Sequence, residues 1–183
     1  LTGYVPLAVD LLAPVEVLVP LLAVAFGYRS LGAGGVATER PVLRTYPLPR
    51  WAYVGGVYVG RAVVVCSLVF ATLLVAGVLV PFLGPEGSSV IATHGGEGSF
   101  GAYLRFVVLA TVYAAVVLAA VLAASAVTST ARTGVAAAVG LFVLVTVGVD
   151  LAFVGGLASG LLAPEHLRYL QALGPNGAFR GLV

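Results

Sequence analysis

The sequence predicts an all-α fold, a polytopic bundle of transmembrane helices that makes one domain of residues 1–183. The mean hydropathy is +1.13, and only 9% of the residues are charged, against about 25% in soluble domains. The apolar stretches also have room for roughly four spanning helices of about 20 residues each. These observations predict a multi-pass protein of the plasma membrane.

The first two spans are expected at about 13–31 and 61–82. Pro14 and Pro20 fall inside the first span, where a kink is expected instead of a break, because neighbouring helices can satisfy the freed carbonyls. The residues before this span are expected to form an outer loop or a short interfacial helix. A helix from Pro49 to the end of the second span would have about 33 residues and a length of about 50 Å, so its first turns must lie outside a hydrocarbon core of about 30 Å.

The third and fourth spans are expected at about 103–127 and 134–163, joined by a tight polar turn. The glycine- and serine-rich loop before the third span has no arginine, whereas residues 36–50 contain three of the chain's nine. Because cytoplasmic loops carry the excess of arginine, this distribution places 36–50 in the cytoplasm. Arg61 and Arg105 lie near the ends of their spans and can extend toward the headgroups.

Composition excludes several classes of function. The chain has no lysine, so it cannot house an ATP-hydrolysing Walker motif, whose lysine binds the phosphates. A net charge of +2 is too small to indicate binding of nucleic acid. Methionine is also absent, and His94, His166 and Cys66 are far apart in the sequence, so no metal site is predicted.

The basic segment 36–50 is expected to contain a short helix that lies flat at the cytoplasmic surface. Thr38 can cap this helix, Glu39 suits its first turn because of the helix dipole, and a following proline ends it. Arg40 and Arg44 are four residues apart and would share one face. These features leave two interpretations open: a basic loop that faces phospholipid headgroups, or an element that docks a partner protein.

Two kinds of residue within or just before the expected spans are candidates for special contacts. Asp150 lies near the middle of the fourth span, where a carboxylate costs about 2.5 to 3.5 kcal/mol on insertion scales and normally faces protein or water. It is the candidate intramembrane polar site, either on a translocation path or as a hydrogen-bonded structural residue. Glu16, near the outer end of the first span, is expected at the interface. Gly56 and Gly60 have the spacing of a close helix–helix contact.

Three stretches carry a resemblance to type-2 ABC exporter permeases. The second span, coupling helix and third span of that family are similar to "LVPLLAVAFGYRSL" followed by "LRTYPLPRWAYVGGVYVGR". Its next two spans resemble "YLRFVVLATVYAAVVLAAVLAASAVTSTARTGVAAAVGLFVLVTVGVDL", and the approach to its last span resembles "LQALGPNGAFRGLV". The similarity covers nearly the whole chain. It is greatest to six-span permeases allied to the copper-processing, nitrous-oxide-reductase maturation transporters, and the chain is expected to be a fragment without the first and last spans.

The resemblance implies a permease subunit that moves its substrate by alternating access. A separate cytoplasmic ABC ATPase would bind ATP and magnesium, so the chain itself would be no enzyme and would hold no cofactor. Residues 36–50 would be the coupling segment, with ATPase-docking residues Glu39, Arg40, Arg44 and Arg50. The family has a Gly-Glu-Arg-Glu motif here, which is reduced to "GGVATER" in this chain, so Glu39 and Arg40 would stand in for its charged pair. A second permease copy, as a homodimer or pseudo-dimer, is also implied. An intramembrane enzyme and a non-transporting membrane scaffold remain as alternatives.

Overall fold

The computed structural model describes residues 4–28, 49–83, 100–128 and 131–144, and the single positions 148, 151, 155, 159, 177 and 179. These residues form four α-helices, which are α1 (Tyr4–Gly27), α2 (Arg50–Leu83), α3 (Phe100–Val127) and α4 (Ala131–Val143). No strand occurs in these ranges. The prediction of an all-α, polytopic transmembrane helix bundle is confirmed.

Three of the helices are long and apolar enough to cross a membrane. Their candidate spans are Leu7–Gly27, Trp51–Leu79 and Phe100–Val127. The described apolar part of α4 is shorter, at Arg132–Val143, and most of the remainder of the expected fourth span lies outside the described residues. Within that remainder the N–H of Ser159 donates to the carbonyl of Gly155 at 3.0 Å, which is the spacing of an α-helix.

The first helix begins at Tyr4, well before the expected start of the first span at residue 13. The residues expected to form an outer loop or a separate interfacial helix are therefore the first turns of α1. Pro6 causes no break there, because the first N–H groups of a helix have no intrahelical partner. The helix also continues through Pro14 and Pro20, in agreement with the expectation that these prolines do not end it.

The second helix is longer than the hydrocarbon core is thick. It has 34 residues, which corresponds to about 51 Å against a core of about 30 Å. It begins directly after Pro49, whose carbonyl accepts hydrogen bonds from the N–H groups of Ala52 at 3.0 Å and Tyr53 at 3.4 Å. Trp51, in its first turn, is 78% exposed. The long helix predicted from Pro49 onward is present, and its first turns are available to the interface or to a partner.

The third helix is the centre of the bundle and contacts α1, α2 and α4. Half of its span is buried, against 28% of the span in α1 and 22% in α2. Its buried positions recur every three or four residues, which gives one continuous packing stripe. The stripe consists of Tyr103, Phe106, Val107, Ala110, Tyr113, Ala114, Val117, Leu118, Val121, Leu122 and Ser125.

Contacts along the helices fix their directions. The Tyr58 hydroxyl of α2 donates to the Ala115 carbonyl of α3 at 3.3 Å. Further along α2, the Leu73 carbonyl accepts a hydrogen bond of 2.6 Å from the Tyr103 hydroxyl. Residue numbers therefore rise along α2 as they fall along α3, and the two helices are antiparallel. Gly77 makes their close approach possible, because a Cβ at this position would overlap the Tyr103 ring.

The first and third helices are parallel, so the bundle has two distinct ends. The Tyr4 ring lies 5.6 Å from that of Phe100 and 5.8 Å from that of Tyr103, while Gly27 packs on Val121. We call the end with Tyr4 and Phe100 the outer end, and the opposite end, where α1 and α3 finish and α2 and α4 begin, the inner end. The arginine-rich segment connects helices at the inner end, so the positive-inside rule assigns that end to the cytoplasm.

Candidate functional site

The predicted docking residues belong to the connection between α1 and α2. Glu39, Arg40 and Arg44 lie outside the described residues, and Arg50 is the first residue of α2. The description stops at Tyr28, one residue after the end of α1, and resumes at Pro49. The structure therefore shows the two helix ends that border the predicted coupling segment, and we treat the inner end of the bundle as the candidate functional site.

A hydrogen bond joins the end of α1 to α2, about three helical turns into the second helix. The Nη1 of Arg61, on α2, donates to the carbonyl oxygen of Phe26, on α1. Because the last four carbonyls of a helix have no intrahelical donor, and because they form the negative end of the helix dipole, a guanidinium is a suitable partner for them. The last turn of α1 has no basic residue of its own. Arg61 therefore supplies from α2 the cation that this helix end lacks.

The same end of α1 is packed tightly against α3 and α4. A Cβ added at Gly27 would lie 2.5 Å from Cγ1 of Val121 on α3. On α4, a Cβ at Gly134 would lie 3.2 Å from the Tyr28 carbonyl oxygen and 3.3 Å from Oγ1 of Thr128. Glycine is needed at the first position and favoured at the second, and the inner end brings all four helices into one packed unit.

The turn between α3 and α4 has its own polar contacts. The N–H and the hydroxyl of Thr128 both donate to the carbonyl of Ser125, at 3.3 Å and 2.8 Å. These bonds satisfy a carbonyl in the last turn of α3, which otherwise lacks a helical donor. Arg132 is exposed in the first turn of α4 and adds a cation to the inner end.

Replacing the inner-end glycine tests how tightly α1 is held. We expect Gly27→Ala to lower the free energy of unfolding by about 1–3 kcal/mol, because the new methyl group overpacks against Val121. Gly55→Ala is the control, since no described heavy atom outside its own helix lies within 4 Å of a Cβ added there; it should be neutral or stabilising by up to about 1 kcal/mol. Unfolding in detergent micelles, followed by circular dichroism, measures both. Equal stability of the two variants would contradict the packing described here.

The acidic residue that the structure buries inside a span is Glu16, while Asp150 lies outside the described residues. Because the span of α1 starts at Leu7, Glu16 lies well within it, and its side chain is only 5% exposed. The sequence predicted Glu16 at the interface from a first span expected at 13–31, whereas the helix begins at Tyr4 and packs the Glu16 side chain inside the bundle. Buried Pro20 has no N–H, so the helix also lacks the usual hydrogen bond from position 20 to the Glu16 carbonyl. The buried side chain of Glu16 and its backbone carbonyl are thus polar groups in the interior of α1.

The glycine pair with helix-contact spacing does not form a contact within the described part of the chain. No described heavy atom outside α2 lies within 4 Å of a Cβ added at Gly56 or Gly60. The glycines that do allow close helix approach are Gly27 and Gly77, which no sequence motif indicated. Arg61 was expected to extend toward the headgroups, but the structure directs it to α1. No sequence signal indicated this contact, which depends on how α1 and α2 pack.

The fold and the inner end together define a class of protein. It is a multi-pass membrane helix bundle in which an arginine-rich segment connects α1 to α2, and a hydrogen bond from Arg61 also links these two helices. Residues 8–174 match the family model described as ABC-2 family transporter protein. The match covers nearly the whole chain, so the chain belongs to the ABC-2 transporter family and is a multi-pass membrane permease. Comparison with curated proteins and with solved structures gave no match.

Proposed function

We propose that the chain is the translocating subunit of an ABC exporter and moves its substrate by alternating access, driven by a separate cytoplasmic ATPase. Membership of the ABC-2 family supports this proposal. The absence of lysine from these 183 residues also supports a separate ATPase, because the residues cannot form the phosphate-binding motif of such an enzyme.

The ATPase would dock on the segment 36–50, through Glu39, Arg40, Arg44 and Arg50. The observation that carries the proposal is the hydrogen bond from Arg61 to the Phe26 carbonyl. It joins the helix before the segment to the helix after it, so a displacement of the segment would act on α1 and α2 together.

Alternating access requires two arrangements of the helices, because packed interfaces switch between discrete states more readily than they deform. In this bundle α3 is central, and α1 and α2 contact it at opposite ends through Gly27 and Gly77. We propose that ATP binding and hydrolysis shift α1 and α2 as a pair relative to α3. This motion would open the pathway first to the cytoplasm and then to the outside.

A second permease copy would complete the pathway, as a homodimer or a pseudo-dimer. Other parts of this chain bury only 28% of the span in α1 and 22% of the span in α2. The remaining apolar surface of these helices is available for both lipid and another copy. Gly56 and Gly60 lie on an open part of α2, where a neighbouring helix could approach closely. The alliance with copper-processing permeases stays a prediction, and so does the role of Asp150.

Reconstitution tests the proposed function. The chain and a candidate ABC ATPase from the same organism are purified together and placed in lipid nanodiscs. We expect the two chains to form a stable complex, with a rate of ATP hydrolysis different from that of the ATPase alone. A membrane scaffold would bind without changing the rate, and an intramembrane enzyme would not bind. Either of these results would contradict the proposal.

A further inference from the structure

A small cavity of about 140 Å³ opens at the outer end of the bundle, between the first turns of α1 and α3. It is far from the inner-end site and has no part in the proposed coupling. Most of its lining is apolar or aromatic, and its charged side chain is that of Arg105, which is exposed. The walls include Tyr4, Ala8 and Val9 from α1 and Ala102, Tyr103 and Arg105 from α3.

The length of α3 places this cavity at the level of the outer headgroups. The helix has 28 residues, or about 42 Å, so about 12 Å extends beyond a hydrocarbon core of about 30 Å. If this excess divides equally between the two ends, the hydrocarbon core begins about 6 Å below Phe100. The Cα of Arg105, five residues further along the helix, lies about 7.5 Å below Phe100. Arg105 therefore has its backbone at the boundary of the core.

The direction of α3 carries the guanidinium out of the core. Side chains on a helix lean toward its N-terminus, which for α3 is the outer end, so Arg105 leans toward the headgroups. Tyr4 and Phe100 meet edge to face beside it, with ring centroids 5.6 Å apart, as is typical of the aromatic layer at a membrane interface. The cavity thus combines a cation at headgroup level with apolar walls that continue toward the core.

An arginine on this side of the membrane is contrary to the general distribution of charge in the chain. The outer connection, residues 84–99, has no arginine, and the positive-inside rule disfavours one there. A guanidinium binds phosphate oxygens in a bidentate manner with strong, charge-assisted hydrogen bonds. At this depth the abundant phosphates are those of the outer-leaflet phospholipids.

We propose that the cavity binds one phospholipid of the outer leaflet. Arg105 binds the headgroup phosphate, and the glycerol and upper acyl carbons pack on Tyr4, Ala8 and Val9. The bound lipid fills the space between α1 and α3 at the outer end. This proposal does not depend on the proposed coupling to an ATPase, because it uses a different end of the bundle.

Native mass spectrometry of the purified chain in detergent tests the assignment. The probes are dioleoylphosphatidylglycerol and dioleoylglycerol, which share acyl chains but differ in the phosphate. We expect the chain to retain the phospholipid in preference to dioleoylglycerol. Arg105→Gln should weaken this retention about tenfold, the effect of losing one charge-assisted hydrogen bond. Arg132→Gln, which removes an exposed arginine at the inner end, should leave it unchanged.

A second variant tests the cavity without touching the charge. Ala102 is exposed and lines the cavity, so Ala102→Leu narrows it while Arg105 stays in place. Ala102→Leu should also weaken retention of the phospholipid, whereas Ala123→Leu, at an exposed position near the inner end of the same helix, should not. These variants keep the test valid even if Arg105→Gln folds poorly.

Two outcomes would overturn the proposal. The first is that the chain retains dioleoylglycerol as strongly as the phospholipid, or that the original chain, Arg105→Gln and Ala102→Leu all retain the phospholipid equally. Either result would show that phosphate is not recognised in the cavity. Displacement of the phospholipid by excess inorganic phosphate would show that the site binds a free anion and not a lipid. Insensitivity of the complex to inorganic phosphate is the expected result.

Discussion

Reversing two charges in the coupling segment, Arg40→Glu together with Arg44→Glu, is expected to abolish binding of the ATPase. Each arginine that donates to a carboxylate on a partner contributes about 1.5–3 kcal/mol, so losing two such contacts weakens binding roughly 100-fold or more. Reversal adds repulsion from the same carboxylates. Co-purification of the tagged ATPase with the membrane chain measures the loss, and stimulation of ATP hydrolysis should disappear with it.

The control for this double reversal is Arg132→Glu. Arg132 is exposed at the same end of the bundle but belongs to α4, so its reversal changes the cytoplasmic charge without touching the segment. It should leave binding of the ATPase within about twofold of the original value, as expected for a peripheral charge. Because arginines also determine topology, the orientation of each variant is checked by protease accessibility. Unchanged binding in a correctly inserted double variant would contradict docking on this segment.

Removing the hydrogen bond between α2 and the end of α1, by Arg61→Leu, is expected to separate binding from coupling. The ATPase should still bind, because the segment 36–50 is intact. Permease-dependent stimulation of ATP hydrolysis should fall about tenfold, because the Phe26 carbonyl loses a charged donor worth about 1.5–3 kcal/mol and α1 no longer moves with α2. The ATPase assay in nanodiscs, with saturating ATPase, measures this directly.

The matched substitution Arg61→Lys keeps a cation that can donate to the same carbonyl and should retain most of the stimulation. If Arg61→Leu stimulates ATP hydrolysis as strongly as the original chain, the hydrogen bond to Phe26 does not matter for coupling. Equal loss of binding and stimulation in Arg61→Leu would indicate damage to the segment itself, and would contradict a role in transmission.

The helices could be predicted from the sequence because their signal is local. An apolar run of sufficient length must be helical in a membrane, where every backbone polar group needs an internal partner. The extension of α2 back to Arg50 also followed from the sequence, since Pro49 marks a helix start. The start of α1 was placed too late, because Asp10 and two prolines interrupt an apolar run that the bundle nevertheless keeps helical.

The contacts of the candidate site could not be predicted, because they depend on how helices distant in the sequence meet. Gly27 is needed only because Val121 of α3 packs on it, and nothing in the sequence around Gly27 specifies that neighbour. Gly56 and Gly60 had the motif but no packed neighbour in the described structure. Likewise, Arg61 finds the Phe26 carbonyl only after α1 and α2 lie side by side. Burial of Glu16 followed from the register of α1, which the sequence left open.

Site-directed crosslinking from the coupling segment tests the central claim most directly. In a Cys66→Ala background, Thr45→Cys, next to the docking residue Arg44, is labelled with a maleimide–benzophenone probe in membranes that contain the ATPase, and the sample is irradiated. Glu97→Cys, in the arginine-free connection at the other end of the bundle, is the control. We predict a covalent adduct between the chain and the ATPase from position 45 and none from position 97. An adduct from position 97 but not from position 45 would contradict the account.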